Sequence, residues 1–120
     1  MANVAVLGAS NNTERYSNKA VKLLVEKNHT VFPVHPTLTN IDGLNVYNTM
    51  DSIDERIDTL SVYISPLKIG PLINDIIKLN PHRVILNPGT ESDELEKNLT
   101  RNNIPFLKAC TLVLLKTGQF

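Results

Sequence analysis

"VAVLGASNNTERYSNKAVKLL", Val4 to Leu24, decides the fold. Val4 to Leu7 form an unbroken apolar run stopped by Gly8, as in a strand buried on both faces of a parallel sheet. After a polar loop the spacing turns helical at Val21, Leu24 and Val25, with Ala20 beside them and Ser17 as the expected N-cap. Strand, glycine turn and helix in that order open a dinucleotide-type βαβ unit, but only one of the usual three glycines is present. Asn11 and Asn12 stand where that fingerprint would continue.

The remaining segments repeat the alternation. "TVFPV", Thr30 to Val34, reads as a second strand closed by His35-Pro36; Pro33 lacks an amide donor and belongs at an edge, a strand end or an irregularity. Gly43 marks a turn in the loop that follows, and "DSIDER" suggests a short helix. Thr59 to Ile64 is a third strand punctuated by Ser65-Pro66, then Leu72, Ile73, Ile76 and Ile77 stripe a helix with Pro71 in its first turn. Arg83 to Leu86 is a fourth strand ending at Asn87-Pro88-Gly89. Thr90 with Asp93 reads as a capping box for a water-facing helix that buries Leu95 and Leu99. Ile104 to Leu107 is a fifth strand, and "CTLVLLKTG" a closing helix ended by Gly118. The expected class is α/β: one Rossmann-like three-layer domain over residues 1–120, with a mainly parallel sheet of about five strands. The segment Thr111 to Phe120 either packs on this domain or mediates a homodimer.

Composition narrows the function classes. Apolar residues make up 42% and charged residues 20%, and twelve basic residues balance twelve acidic ones. That argues against a broad nucleic-acid or anionic-membrane surface. Leu112 to Leu115, the longest apolar run, is far too short to cross a bilayer. The opening residues lack an export-signal pattern and Cys110 is the single cysteine, so the expectation is a cytoplasmic protein. His29, His35 and His82 share no metal-ligand spacing, and no metal is expected. Cys110 reads as a buried structural thiol, and Glu91, Asp93, Glu94 and Glu96 as a solvated helix start.

Ligands of such sheets gather beyond the carboxyl ends of the strands. Four segments meet there: Gly8 to Asn18, Val34 to Thr37, Ile64 to Leu67, and Asn87 to Glu91. Gly8 permits a sharp turn, Ala9 and Ser10 leave an anion room to approach peptide groups, and a helix opening near Ser17 adds its positive end. A phosphate suits that place; a turn needed only to pack strand on helix is the alternative. A nicotinamide cofactor would call for an acidic residue roughly 20 residues beyond the glycine, at the end of the second strand. Val34-His35-Pro36 stands there instead, which counts against the alternative of a small NAD(P)-dependent oxidoreductase. Tyr16 either covers a bound base or caps the first helix.

Taken in order, "VAVLGAS", "YSNKAV", "VFPVHP", "IDGLNVY", "VYISP" and "NPGTESDEL" resemble the small stand-alone CoA-binding proteins, whose domain is similar to the N-terminal domain of the succinyl-CoA synthetase α-subunit. The resemblance implies CoA or acyl-CoA as ligand. It assigns the pyrophosphate to Gly8, Ala9, Ser10, Ser17, Asn18 and Lys19, and the adenosine border to Val34, His35 and Pro36. Ile64, Ser65 and Pro66 would form a second wall, with Asn87, Pro88 and Gly89 lining the exit toward the pantetheine arm. Three positions depart from the pattern: Ser17 replaces a common glycine, His35 the usual asparagine, and Thr37 a frequent lysine. The last removes a cation from the ribose 3′-phosphate, with Lys19 or Arg15 as candidate replacements. The synthetase's phosphorylated histidine lies in a following domain that this chain does not include, so the implied role is binding without catalysis. An acyl-CoA handed to a partner protein, occupancy acting as a signal, and an interaction domain that has lost its ligand are the readings this leaves.

Overall fold

In the computed structural model, which describes residues 1–120, the strand β1 (Asn3–Leu7) is buried from both sides. Val4 and Val6 pack on one side with Val21, Leu24 and Leu115, while Ala5 and Leu7 pack on the other with Ile69, Ile76, Leu95 and Leu99. Alternate side chains of a strand point to opposite faces, so one apolar run serves both cores. β1 pairs in parallel with β2 (Thr30–Val34) and with β5 (Thr59–Val62); β6 (Arg83–Leu86) and β7 (Phe106–Lys108) follow, also parallel. The order β2-β1-β5-β6-β7 reverses direction at β1. β3 (Asn40–Ile41) and β4 (Leu44–Asn45) form a separate antiparallel hairpin, with Gly43 in its turn at φ +84°.

Helices α1 (Tyr16–Glu26) and α5 (Thr111–Lys116) cover one face. On the other lie α2 (Pro66–Ile69), α3 (Ile73–Leu79) and α4 (Asp93–Arg101). The α1/α5 core holds eight buried residues against seventeen opposite, and the chain end helps to close this thinner side. Phe120 packs on the His29 ring at 5.0 Å between centroids and under the Arg83 guanidinium at 4.7 Å. Burial, then the N-terminal amine and Arg83, lower the pKa of His29, whose Nδ1 accepts the Ala2 N–H. The segment Thr111 to Phe120 therefore packs on its own domain. No helix is long and apolar enough to cross a membrane.

Pro33 sits on the edge strand β2, where a missing donor is tolerated. Several local expectations change. Helix α1 begins at Tyr16 behind Arg15, so Ser17 is not the cap but a buried residue of the first turn. Val25 falls outside the buried stripe of Ala20, Val21 and Leu24 and is 46% exposed. Ser92, not Thr90, caps α4: its Oγ accepts the Leu95 N–H at 3.2 Å, whereas Thr90 Oγ1 donates to the Asn87 carbonyl. The last strand starts two residues later than expected because the Ile104 N–H turns back to Leu99 and ends α4, and Pro105 has none. "DSIDER" contributes only a 3-10 turn at Met50–Ser52, and Pro71 lies in another, Gly70–Leu72, joining α2 to α3. Cys110, the residue before α5, is half-buried rather than buried.

Candidate functional site

Beyond the carboxyl ends of β1, β2 and β5 the direction of the sheet reverses, and three cavities meet at Gly8. Gly8 has φ +86°, and a Cβ there would lie 2.8 Å from the Tyr63 carbonyl oxygen and 2.9 Å from Ile64 Cδ1. Both the left-handed backbone and the close approach of the β5 end demand glycine. The central cavity, about 530 Å³, is walled by Ser10 and Arg15 on one side, His35 and Pro36 on another, and Ser65 and Lys68 on a third. An apolar recess of about 250 Å³ continues it between Val34, Pro36, Ile64 and Leu72. A third, about 240 Å³, opens at the start of α1 between Glu14, Arg15, Tyr16, Ser17 and Tyr63, so it sets one carboxylate beside the Arg15 cation.

The fate of the backbone amides decides what this crevice offers. The N–H groups of Gly8 and Ala9 both donate to the Val34 carbonyl, at 3.2 and 3.1 Å, so they are not open to an anion. That single acceptor fastens the first turn to the end of β2. By contrast, the N–H groups of Ser10, Asn11, Tyr16 and Ser17 donate to nothing in the chain. Tyr16 and Ser17 open an eleven-residue helix with no side-chain cap and no acidic residue in its first turn. Unsatisfied donors and the positive dipole end at a helix start favour an anion, and Arg15 beside them has no ion-pair partner.

The remaining residues expected at the site divide into groups. Ala9 is buried, and Asn18 is fully buried, donating to the Ser10 carbonyl at 2.9 Å and to Asp42 Oδ2 at 3.0 Å; it ties the first loop to the β3–β4 hairpin. Its Oδ1 is buried without a donor. Lys19 stays outside the crevice lining, its Nζ 5.5 Å from the ring centroid of Tyr16, which is 70% exposed. Pro66 starts α2 and is exposed. Asn87, Pro88 and Gly89 do not line the crevice. Asn87 is buried and turned inward: Nδ2 donates to Ser61 Oγ and the Val62 carbonyl, and Oδ1 accepts the Thr111 N–H. The Gly89 N–H is taken by the Glu91 carboxylate.

The lining also includes residues that were not expected: Asn48, Thr49, Met50, Leu72 and Asp75 around the apolar recess, Glu14 at the start of α1, and two that border the central cavity, Lys68 and Tyr63. Lys68 extends from α2 into the walls of both the central cavity and the apolar recess. Tyr63, in the residue pair that presses on Gly8, lines the other side; burial pushes its phenol up to about 12, against the smaller opposing pull of the Thr111 and Ser61 hydroxyls. For Lys68 the only signal available was its place two residues beyond Ser65-Pro66, at a strand end. No group of three or more His, Cys, Asp or Glu is arranged to hold a metal ion.

A five-stranded parallel sheet, helices on both faces and a crevice at the point of reversal define a Rossmann-like α/β domain. Within that class the chain belongs to the CoA-binding domain family, which it matches over residues 2–116. It is similar in structure to an uncharacterized protein, at 37% identity and TM-score 0.88 over 100% of this chain and 98% of the other. A Thermus thermophilus protein known as cell-free ID.343 matches at 26% identity and TM-score 0.90, over 99% and 90% of the two chains. The dinucleotide-forming acetyl-coenzyme A synthetase 1 of Ca. Korarchaeum cryptofilum shares the fold at 19% identity and TM-score 0.77, with 90% of this chain covering 25% of that enzyme. No curated protein matches.

Proposed function

We propose that this chain binds CoA or an acyl-CoA by the nucleotide end and catalyses nothing on its own. The observation that carries the reading is the set of unpartnered N–H groups of Ser10, Tyr16 and Ser17, with Arg15 beside them, in the crevice of a CoA-binding-family fold, and that of Asn11 next in the same loop. The diphosphate takes those donors and the Arg15 guanidinium, planar and suited to phosphate oxygens. Gly8 keeps the floor flat. The adenosine lies toward Val34, His35, Pro36 and Ile64, where the apolar recess shelters a base from water. The pantetheine arm leaves over the exposed Pro88 and Gly89, with Asn87 supporting the turn from below, so recognition ends before any acyl group. Tyr16, exposed at the crevice mouth, covers the bound nucleotide.

A non-catalytic role fits the chemistry of the lining. Ser10 Oγ accepts the Asn12 N–H, and neither it nor Ser65 has a general base within hydrogen-bond reach. Isothermal titration of the chain with CoA tests the reading. It predicts saturable one-site binding that Arg15→Ala weakens about tenfold or more, the scale of one hydrogen-bonded charge. An absence of binding at millimolar CoA, or an unchanged affinity in the variant, contradicts it.

A further inference from the structure

We infer that the open edge strand β7 is a self-pairing surface, on which a second copy of this chain adds its own β7 antiparallel about a two-fold axis at Leu107. The inference does not rest on the CoA reading, because β7 lies outside the crevice.

β7 pairs with β6 on one side and with no strand on the other. The Pro105 carbonyl accepts the Val84 N–H at 2.9 Å and the Ala109 N–H donates to the Leu86 carbonyl at 3.2 Å, so Pro105, Leu107 and Ala109 aim their backbone groups at β6. That direction alternates along a strand, which leaves the N–H and C=O groups of Phe106 and Lys108 facing outward, and no group of the chain takes them. The other edge is closed. Pro33 of β2 has no donor, its carbonyl accepts the Tyr47 N–H at 2.9 Å, and the His35 N–H beyond it donates to the Tyr47 carbonyl at 3.0 Å. One open edge admits one mate, so the pairing is isologous and stops at two copies instead of growing into a filament.

The edge complements itself. With the axis at Leu107, Phe106 of each copy stands opposite Lys108 of the other, and the two exchange N–H···O=C bonds as an antiparallel pair does. Leu107 then meets its equivalent in the mate at the closer, non-hydrogen-bonded position. Paired residues share a face, so Leu107 follows Ile85 and Ser61 to the side on which Ser61 Oγ meets Thr111 of α5. There it is half-buried and outside both core clusters, and α5 adds the run Leu112-Val113-Leu114 with Val113 54% exposed. Apolar surface of that kind gains from cover. An edge lysine usually keeps a mate away; here Glu96 draws the Lys108 ammonium onto α4, with Nζ 3.3 Å from Oε1. The axis also sets α4 and its mate in opposite directions. The first turn of α4 carries Asp93 and Glu94 and its last carries Arg101, so the acidic start of each copy runs toward the basic end of the other.

The test is sedimentation velocity of the chain from about 1 to 500 μM, where a short paired edge should show a reversible monomer–dimer equilibrium with no larger species. Lys108→Pro removes an outward donor and blocks the edge, while the bonds that Leu107 and Ala109 make to β6 stay in place. It should weaken the dimer about tenfold or more. Leu107→Lys reads the same seam through a side chain, since it sets like charges directly opposite each other, and should weaken the dimer as well. Thermal melting checks that each variant folds; should Lys108→Pro fail to fold, Leu107→Lys decides. A chain that stays monomeric throughout the range, which would leave the edge to a strand of a different protein, overturns the inference. So does assembly beyond two copies, or a dimer that the folded variants leave as tight as before.

Discussion

Gly8 carries two constraints at once. Its φ of +86° is costly for any other residue, and the Tyr63 carbonyl 2.8 Å from the missing Cβ leaves no room for one. Gly43, at φ +84° with nothing within 4 Å, carries only the first. Gly8→Ala should therefore destabilise the chain by about 3 kcal/mol, while Gly43→Ala costs about 1 kcal/mol. Urea unfolding of the two variants measures the difference, and equal losses would show that the approach of β5 does not matter. The need for glycine after β1 was readable from an apolar run ending in one. Its partners were not: the amides of Gly8 and Ala9 looked free in the sequence, yet both are spent on Val34, twenty-six residues from Gly8, and the open donors lie further along the loop. Lys68 was hidden for the same reason, since only the folded chain brings α2 to the cavity that His35 lines.

Between elements, Asn87 joins β6 to β5 and to the start of α5 through three hydrogen bonds, at 3.0, 2.9 and 2.8 Å. Removing its side chain takes a partner from the Val62 carbonyl and from the buried Thr111 N–H, and leaves Ser61 Oγ only its bond with Thr111 Oγ1. Asn87→Ala should cost about 3 kcal/mol, against about 0.5 kcal/mol or less for Pro88→Ala on the exposed turn beside it. Chemical denaturation separates the two, and a loss under 1 kcal/mol at Asn87 would contradict the inward role. The order and type of the main elements followed from periodicity, because each strand of the parallel sheet is a short, mostly apolar segment and each long helix has a buried stripe. Element ends did not. Whether Ser17, Thr90 or Ser92 caps a helix depends on which hydroxyl reaches a free N–H, and Ile104 was lost to the sheet because its amide closes α4 instead. The β3–β4 hairpin, with two residues in each strand, is too short to impose an alternation; only its turn at Gly43 was apparent.

Across the molecule, strand order converts these local features into a site. The chain runs from β1 to β2 on one side and returns to β5 on the other, so the loops after β1, β2 and β5 part around Gly8 instead of packing together. Sequence alone indicated that such a crevice would form at the strand ends and named four loops around it; those after β1, β2 and β5 line it, and the turn after β6 lies outside because Asn87 turns inward to Thr111. Balanced charge over the whole chain fits a site made by a few unpaired cations and peptide donors rather than by a broad field. The claim on which this account stands is that the free amides after β1 and at the start of α1 receive a diphosphate. Residue-resolved amide hydrogen exchange, with and without saturating CoA, reads those groups one by one. Without ligand, Gly8 and Ala9 should already be protected by Val34 while Ser10, Asn11 and Tyr16 exchange fast; with CoA, the latter three should slow by about tenfold or more. Saturating CoA that leaves those three amides unchanged, or protects the opposite end of the sheet around Lys27 and Gly118 instead, would contradict it.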